Sequence, residues 1–326
     1  MASPKPQRIF ITGANGYIGS VITEFAICEG YTVVGLSRSE KSDTQLRNLG
    51  AIPVRGDLHT YDVLTHESAQ ADVVIHLADA LAGDWGMEYS EVVRIHNAAV
   101  DAIAKGLQGS GKPFIETSGS LVTAPAANGG ETTEASPLLE MPLNGRIDSE
   151  KYALAQCEKG IKVSALRLAP YVYGRGGSGV RLFMGMAAKN GEATYIGDGS
   201  KCTTTVHVDD AARLYLLAIK HAKAGEAYNA TYETDVTSRA LSEAMGEALG
   251  VPVRSQSFED TAAKAGEFFA KFLSAENRAS NAKAVQELGW RPREKKILDE
   301  IKSGSYVEVA KKVAIAVLTH LSRAPE

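Results

Sequence analysis

Cysteine is scarce in this chain: three in 326 residues, at Cys28, Cys157 and Cys202, with no metal-like spacing. So few thiols exclude a disulfide framework and fit a reducing compartment. Charge of one sign is also lacking. The formal net charge is −4 and the pI about 6.0, with no basic stripe of the kind that binds nucleic acid. No apolar run approaches the ~20 residues of a membrane span, and Met1 to Pro6 carry no apolar core of a signal peptide. A cytoplasmic protein is therefore expected, with a small-molecule substrate and neither nucleic acid nor membrane as partner. What remains is ordinary: 44% hydrophobic and 23% charged, a globular composition long enough for a large core and a second, smaller domain.

Against that background one stretch stands out. Arg8-Ile9-Phe10-Ile11-Thr12 reads as an apolar strand, Gly13, Gly16 and Gly19 follow, and Val21 to Ile27 read as a helix. A strand, a glycine turn and a helix form the pyrophosphate cradle of a dinucleotide-binding unit. Gly13 allows the sharp turn, Gly16 lets phosphate approach the main chain, and Gly19 lets the helix pack close to the strand. Free amides at the helix start then face the anion. Asn15, Tyr17 and Ile18 complete the candidate cradle.

The following segments alternate strand and helix. Strands are expected at Tyr31 to Leu36, Ala51 to Arg55, Asp72 to Leu77, Lys112 to Ser118 and Lys162 to Leu168, with a long helix from about Glu88 to Leu107 and another from about Arg146 to Glu158. Uninterrupted apolar runs suit parallel strands buried on both faces. The second strand runs into Ser37-Arg38-Ser39, without the acid that selects NAD by binding the ribose hydroxyls. A carboxylate would repel a 2′-phosphate; an Arg fork and a Ser hydroxyl bind one. Arg38 and Ser37 therefore predict NADP(H). Thr117 and Ser118 stand at the carboxyl end of the fifth strand, where ligands of open α/β sheets bind. His76 lies inside the fourth strand and reads as a core histidine. Asp209 and Asp210 read as caps of the helix that follows them. Gly119 to Gly145 form a long polar loop, expected to be a lid or binding segment. Tyr306 to Leu321 read as a final helix, with apolar residues at helical spacing.

The expected fold is α/β, a doubly wound parallel Rossmann sheet with a smaller, mostly helical C-terminal substrate lobe. Residues 1–170 would form the NADP-binding domain, with 205–235 returning to it. Residues 171–204 and 236–326 would form the substrate-binding lobe.

The phrase Ile11-Thr12-Gly13-Ala14-Asn15-Gly16-Tyr17-Ile18-Gly19 has Gly-x-x-Gly-x-x-Gly spacing and resembles the extended short-chain dehydrogenase/reductases. Thr117-Ser118-Gly119-Ser120, Glu150, Leu166 to Pro170, Tyr195 to Ser200, Val206 to Tyr215 and Leu288 to Pro292 follow in that family's order. Together they resemble an atypical subgroup of the NAD-dependent epimerase/dehydratase family, over roughly residues 7 to 303. The resemblance implies further cofactor contacts. Asp57, followed by Leu58, would meet the adenine amino group; a helix-capping role stays open for Asp57. Leu77, Ala78 and Asp79 would line the ribose, and Pro170 would border the nicotinamide. A homodimer through the long fourth and fifth helices is also implied.

The chain departs from the family at its acid. The family pairs a Tyr with a Lys four residues later; none of the twelve tyrosines here has Lys at that position. Aligned through Glu150, the two positions fall on Pro142 and Arg146. Arg146 keeps a charge able to hold ribose hydroxyls, and Pro142 has no proton to donate. Tyr152, six residues after Arg146, points to another helix face, where packing or a dimer contact is the plainer role. Ser118 or Ser120 would hold a substrate oxygen, with turn hydrogen bonding as the plain alternative. Tyr173, or Tyr171 beside it, would supply a replacement phenol or simply line the pocket. The expectation is an NADP(H)-dependent oxidoreductase acting on a small carbonyl or alcohol by hydride transfer. The alternatives are a redox-neutral epimerase, dehydratase or isomerase, and a non-catalytic NADP(H) sensor.

Overall fold

The computed structural model describes residues 7–82 and 86–321. The strands are β1 Arg8–Thr12, β2 Thr32–Ser37, β3 Ile52–Arg55, β4 Val73–His76, β5 Pro113–Gly119, β6 Lys162–Leu168, β7 Tyr171–Tyr173, β8 Ala193–Ile196, β9 Cys202–His207, β10 Ala227–Ala230, β11 Glu233–Thr237 and β12 Val253–Gln256. The helices on the cofactor side are α1 Tyr17–Cys28, α2 Glu40–Asn48, α3 Tyr61–Gln70, α4 Tyr89–Leu107 and α5 Arg146–Ala155. They are followed by α6 Ser178–Asn190, α7 Val208–His221, α8 Ser238–Leu249, α9 Phe258–Ala265, α10 Glu267–Ser274, α11 Ala282–Leu288, α12 Ile297–Ser303 and α13 Tyr306–Leu321.

Seven strands form one parallel sheet in the order β10-β6-β5-β4-β1-β2-β3. The order reverses between β1 and β4, and a crevice opens beyond the carboxyl ends of strands at such a switch point. Alternation along each strand divides the core into two layers. Ile9, Ile11, Val33 and Ile75 face one layer with α1 and α7. Phe10, Val34, Val74 and Phe114 face the other with α3, α4 and α5. A third apolar cluster, with Tyr173, Met184, Ile301 and Tyr306, holds the second lobe.

The glycine turn is dictated by packing. Gly13 has φ +76°, and a Cβ on Gly19 would lie 2.1 Å from the Gly13 carbonyl oxygen, whereas one on Gly16 would lie 3.1 Å from that same atom. Gly19→Ala must push α1 off β1, an overpacking cost of about 1–3 kcal/mol. Gly16→Ala is expected to cost less. Urea melts of the two variants test this, and equal midpoints would overturn it.

Two local expectations are corrected. His207 caps α7, its Nδ1 accepting the Asp209 amide at 3.2 Å. Asp209 instead pairs with Arg175 at 2.7 Å. Asp210, fully buried, accepts the Arg293 and Glu294 amides at 2.9 Å each and pairs with Arg213. Buried donors need acceptors, and these carboxylates bind neighbouring segments rather than their own helix start. The loop from 119 to 145 is tied down over much of its length, which removes the expectation of a free lid there. It bridges Thr123 to Leu138 and Thr132 to Ala279, and the Glu134 carboxylate accepts the Asn229 amide at 2.7 Å.

Candidate functional site

The crevice at the switch point is a cavity of about 310 Å³. Its floor comes from the loops after β1 and β4: Gly13, Asn15 and Gly16 on one side, Leu77, Ala78 and Asp79 on the other. These loops meet closely. Thr12 Oγ1 accepts the Leu77 and Ala78 amides, each at 3.2 Å, and a Cβ on Gly13 would lie 3.0 Å from the Ala78 nitrogen. The adenosine end is walled by Leu36, Arg38, Asp57, Leu58 and His59. Arg38 is exposed, and no carboxylate pairs with it among the described residues. The start of α2 lies just beyond it, with Ser39 as cap accepting the Ser42 amide at 3.2 Å. Asp57 uses one carboxylate oxygen to accept the His59 and Thr60 amides at 2.9 and 3.1 Å. The capping alternative therefore holds for that oxygen, while the residue still lines the crevice.

Near the carboxyl end of β5 stands Ser118, outside the residues that line the crevice and 4% exposed, whose buried Oγ has no hydrogen-bond partner among the described residues. Arg146 opens α5 and donates from Nη2 to Asp79 Oδ2 at 2.6 Å, with its Cδ beside Gly119. Tyr89 opens α4 on the same side. Its half-buried phenol lies near Asn144, Arg146 and Asp79; burial raises its pKa while Asn144 and Arg146 draw it back. Its ring lies 6.0 Å from that of Phe268 on α10. Tyr89 is not legible as a site residue from the sequence, because nothing in a chain pattern links it to Arg146, 57 positions away. His59, Leu36, Met87 and Ile95, which also line the crevice, were likewise not foreseen.

Several expected site residues point elsewhere. Ser37 is fully buried and donates to the Ser39 carbonyl at 3.1 Å; strand alternation turns it inward, away from any ribose. Tyr17 donates to the Gly174 carbonyl at 2.7 Å with its ring beneath Gly177, bridging to the second lobe. Burial holds its phenol far above the ordinary range. Ile18 packs on the core, and Gly19 serves helix packing. Ser120 is fully buried, donating to Asn277 Oδ1 at 2.9 Å while Asn277 Nδ2 donates to the Ser120 carbonyl at 3.0 Å. That makes it a clamp rather than a ligand for substrate oxygen. Tyr173 is also fully buried and donates to the Lys295 carbonyl at 2.8 Å, so its phenol has no open face to donate from. Tyr171 lies in an aromatic cluster, its ring 6.0 Å from Phe183 and 5.7 Å from Phe272. Thr117 faces the opposite side of β5, where its hydroxyl meets Tyr215 at 2.8 Å. Pro170 sits half-buried between β6 and β7. Tyr152 donates to Asp101 on α4 at 2.6 Å, and that bond pushes its pKa up to about 12.

Fold and crevice together define an α/β protein with a Rossmann-like parallel sheet. The profile of the NAD dependent epimerase/dehydratase family matches residues 9–231. An uncharacterized protein of Schizosaccharomyces pombe is 35% identical over 301 residues, 92% of this chain and 100% of that one. The 2-alkyl-3-oxoalkanoate reductase of Stenotrophomonas maltophilia is 26% identical over 258 residues, 76% of this chain and 77% of its own. Among solved structures, a dTDP-glucose 4,6-dehydratase of Streptomyces venezuelae with NAD bound superposes with a TM-score of 0.74 at 21% identity, covering 94% of this chain and 97% of that one. The chain belongs to the NAD dependent epimerase/dehydratase family. Among the described residues no helix is long and apolar enough to cross a membrane.

Proposed function

We propose that this protein is an NADP(H)-dependent oxidoreductase that interconverts a small carbonyl compound and its alcohol. The observation that carries the reading is the adenosine end of the crevice. There Arg38 stands exposed, without a carboxylate partner among the described residues, beside the amide-rich start of α2. A guanidinium and a helix N-terminus both favour a 2′-phosphate. The rest of the crevice fits a dinucleotide: the turn after β1 has no room for a Cβ at Gly13, and the start of α1 offers free amides to a pyrophosphate. The carbonyl reading draws support from the S. maltophilia relative, named as a reductase of an oxo acid.

In this reading each residue has a task. The free oxygen of Asp57 accepts the adenine amino group, with Leu58 covering the ring. Arg146, its charge balanced by Asp79, holds ribose hydroxyls. The bound nicotinamide supplies or accepts the hydride. Ser118 donates its unused hydroxyl to the substrate oxygen. Tyr89 gives that oxygen a proton as the carbonyl carbon gains hydride, and solvent reprotonates the phenol. Residues from 171 onward form the substrate lobe, outside the returning segment 205–235 and outside α11 with Trp290, which pack on the core of the large sheet.

The test is a titration of NADPH and NADH into the wild type and Arg38→Ala, followed by a carbonyl panel. One charge-assisted contact contributes about 1.5–3 kcal/mol, so NADPH affinity is expected to fall about 10- to 100-fold in Arg38→Ala with NADH affinity unchanged. Wild-type preference for NADH would overturn the cofactor reading. Product formed without net cofactor change would replace the reductase by a redox-neutral enzyme. Tight NADPH binding without turnover would replace it by a sensor.

A further inference from the structure

Behind the crevice floor lies a second polar cluster that the proposed reaction does not use. His76 ends β4, His96 is in the middle of α4 and Glu116 is on β5. His76 and Glu116 are each 1% exposed, and the His96 side chain is 14% exposed. Ligand-capable atoms of the three residues all lie within 4.8 Å of one another. His76 Nε2, His96 Nε2 and Glu116 Oε2 have no hydrogen-bond partner among the described residues. Buried polar atoms nearly always have partners, so three residues whose ligand-capable atoms gather within 4.8 Å, each with an unpartnered buried atom, call for a common one. We infer that His76, His96 and Glu116 form a binding site for a single divalent transition-metal ion of the zinc class, clamping α4 to β4 and β5 beneath the crevice.

The donor chemistry fits. Two imidazoles and one carboxylate suit zinc and its neighbours, and a set of three leaves a fourth position open. His96 Nε2 is 3.4 Å from Glu116 Oε1, close to the ~3.3 Å between two ligands on a tetrahedral ion with bonds of about 2.0 Å. The remaining sides of the triangle, at most 4.8 Å, require movements of roughly 1 Å or less to reach such bonds. Metal-bound imidazoles are held by an outer partner on the second ring nitrogen. His76 Nδ1 has one: Thr12 Oγ1, at 2.6 Å. In the metal-bound tautomer that nitrogen carries the ring proton and donates it to Thr12. The same hydroxyl still accepts the Ala78 amide at 3.2 Å, while the Leu77 amide keeps the Thr12 carbonyl at 3.2 Å. The nearby Arg146 charge does not stand alone against the cation, since Asp79 pairs with it at 2.6 Å.

The experiment is a titration of chelator-stripped protein with Co²⁺, followed in the visible spectrum, with Zn²⁺ as competitor and thermal melting as second readout. It needs no substrate and no cofactor, so its outcome is separate from that of the oxidoreductase reading. The wild type is expected to take up one equivalent with ligand-field bands and to melt higher with Zn²⁺. His96→Ala, on a helix face, and Glu116→Gln should both lose the bands, with circular dichroism confirming that they fold. Thr12→Val should weaken binding about 10- to 100-fold. Absence of uptake at micromolar free metal would overturn the site and leave a neutral network with Thr12 donating to His76 Nδ1. Cobalt–thiolate charge-transfer bands would place the ion on a cysteine and overturn it equally, as would retention of the bands in both ligand variants.

Discussion

Tyr89→Phe is expected to lower kcat for carbonyl reduction by about 10²- to 10⁴-fold, the contribution of a positioned general acid, and to leave NADPH affinity unchanged. The removed atom is one hydroxyl; the ring and its packing on Phe268 stay. No tyrosine of the chain has a lysine four residues later, so in this reading the acid comes from another part of the chain. Burial raises the pKa of Tyr89 from 10.0, and Asn144 and Arg146 act in the opposite direction. With the net shift upward, the phenol keeps its proton at neutral and mildly alkaline pH. The wild-type rate of reduction should therefore be flat from neutral to mildly alkaline pH and fall only as the phenol ionises. A phenylalanine variant with wild-type kcat would assign the proton to water. A rise in KM without loss of kcat would make Tyr89 a binding residue alone. Ser118→Ala, which removes the hydroxyl proposed to hold the oxygen, should lower kcat without moving the alkaline limb.

The second large effect is on stability. Glu150 on α5 and Arg167 on β6 are each 5% exposed. The guanidinium meets the carboxylate through Nη2 at 2.6 Å and Nε at 3.0 and 3.2 Å, and Nη1 also donates to the Glu134 carbonyl at 3.3 Å. Truncating one partner leaves a charge in the interior without compensation, at a cost of about 3–5 kcal/mol. Glu150→Ala is expected to lose that much in denaturant unfolding and to lower Tm by roughly 10 °C. The paired replacement of Glu150 and Arg167 by Met should recover most of it, because the desolvation of both charges disappears with the pair. An alanine variant within ~1 kcal/mol of wild type would mean that water reaches Arg167. The pair also bears on the site. It anchors α5 to the sheet, and Arg146 is the first residue of that helix, so Glu150→Ala should loosen the Arg146–Asp79 contact at 2.6 Å as well.

Much of the architecture was legible because its causes are local. The run Ile9-Phe10-Ile11 is apolar on both faces and can only be a buried parallel strand. Gly13, Gly16 and Gly19 follow it at the spacing a strand-to-helix turn needs. The strand expected at Lys162 to Leu168 and the final helix from Tyr306 to Leu321 have the bounds read from the pattern. Arg38 was found on the crevice wall because the end of β2 is fixed by its neighbours in sequence. Hydroxyls were another matter. Ser37, Ser118 and Ser120 are alike in composition and setting, yet one is turned into the core, one has an unused hydroxyl and one is clamped by Asn277, 157 positions away.

The sequence by itself determined the parallel sheet, the glycine turn, the absence of an acid after β2 and the absence of any tyrosine with a lysine four residues later, since each follows from residues within one or two elements. Only the tertiary structure decided which polar groups meet: Arg146 with Asp79 across 67 positions, Ser120 with Asn277 across 157, His76 with Thr12 across 64. It also decided that Tyr173 and Tyr17 are closed off by carbonyls of other segments. A side chain's chemistry is written in its identity, but its direction and its burial depend on strand parity and on partners brought in by packing. No local pattern encodes those partners.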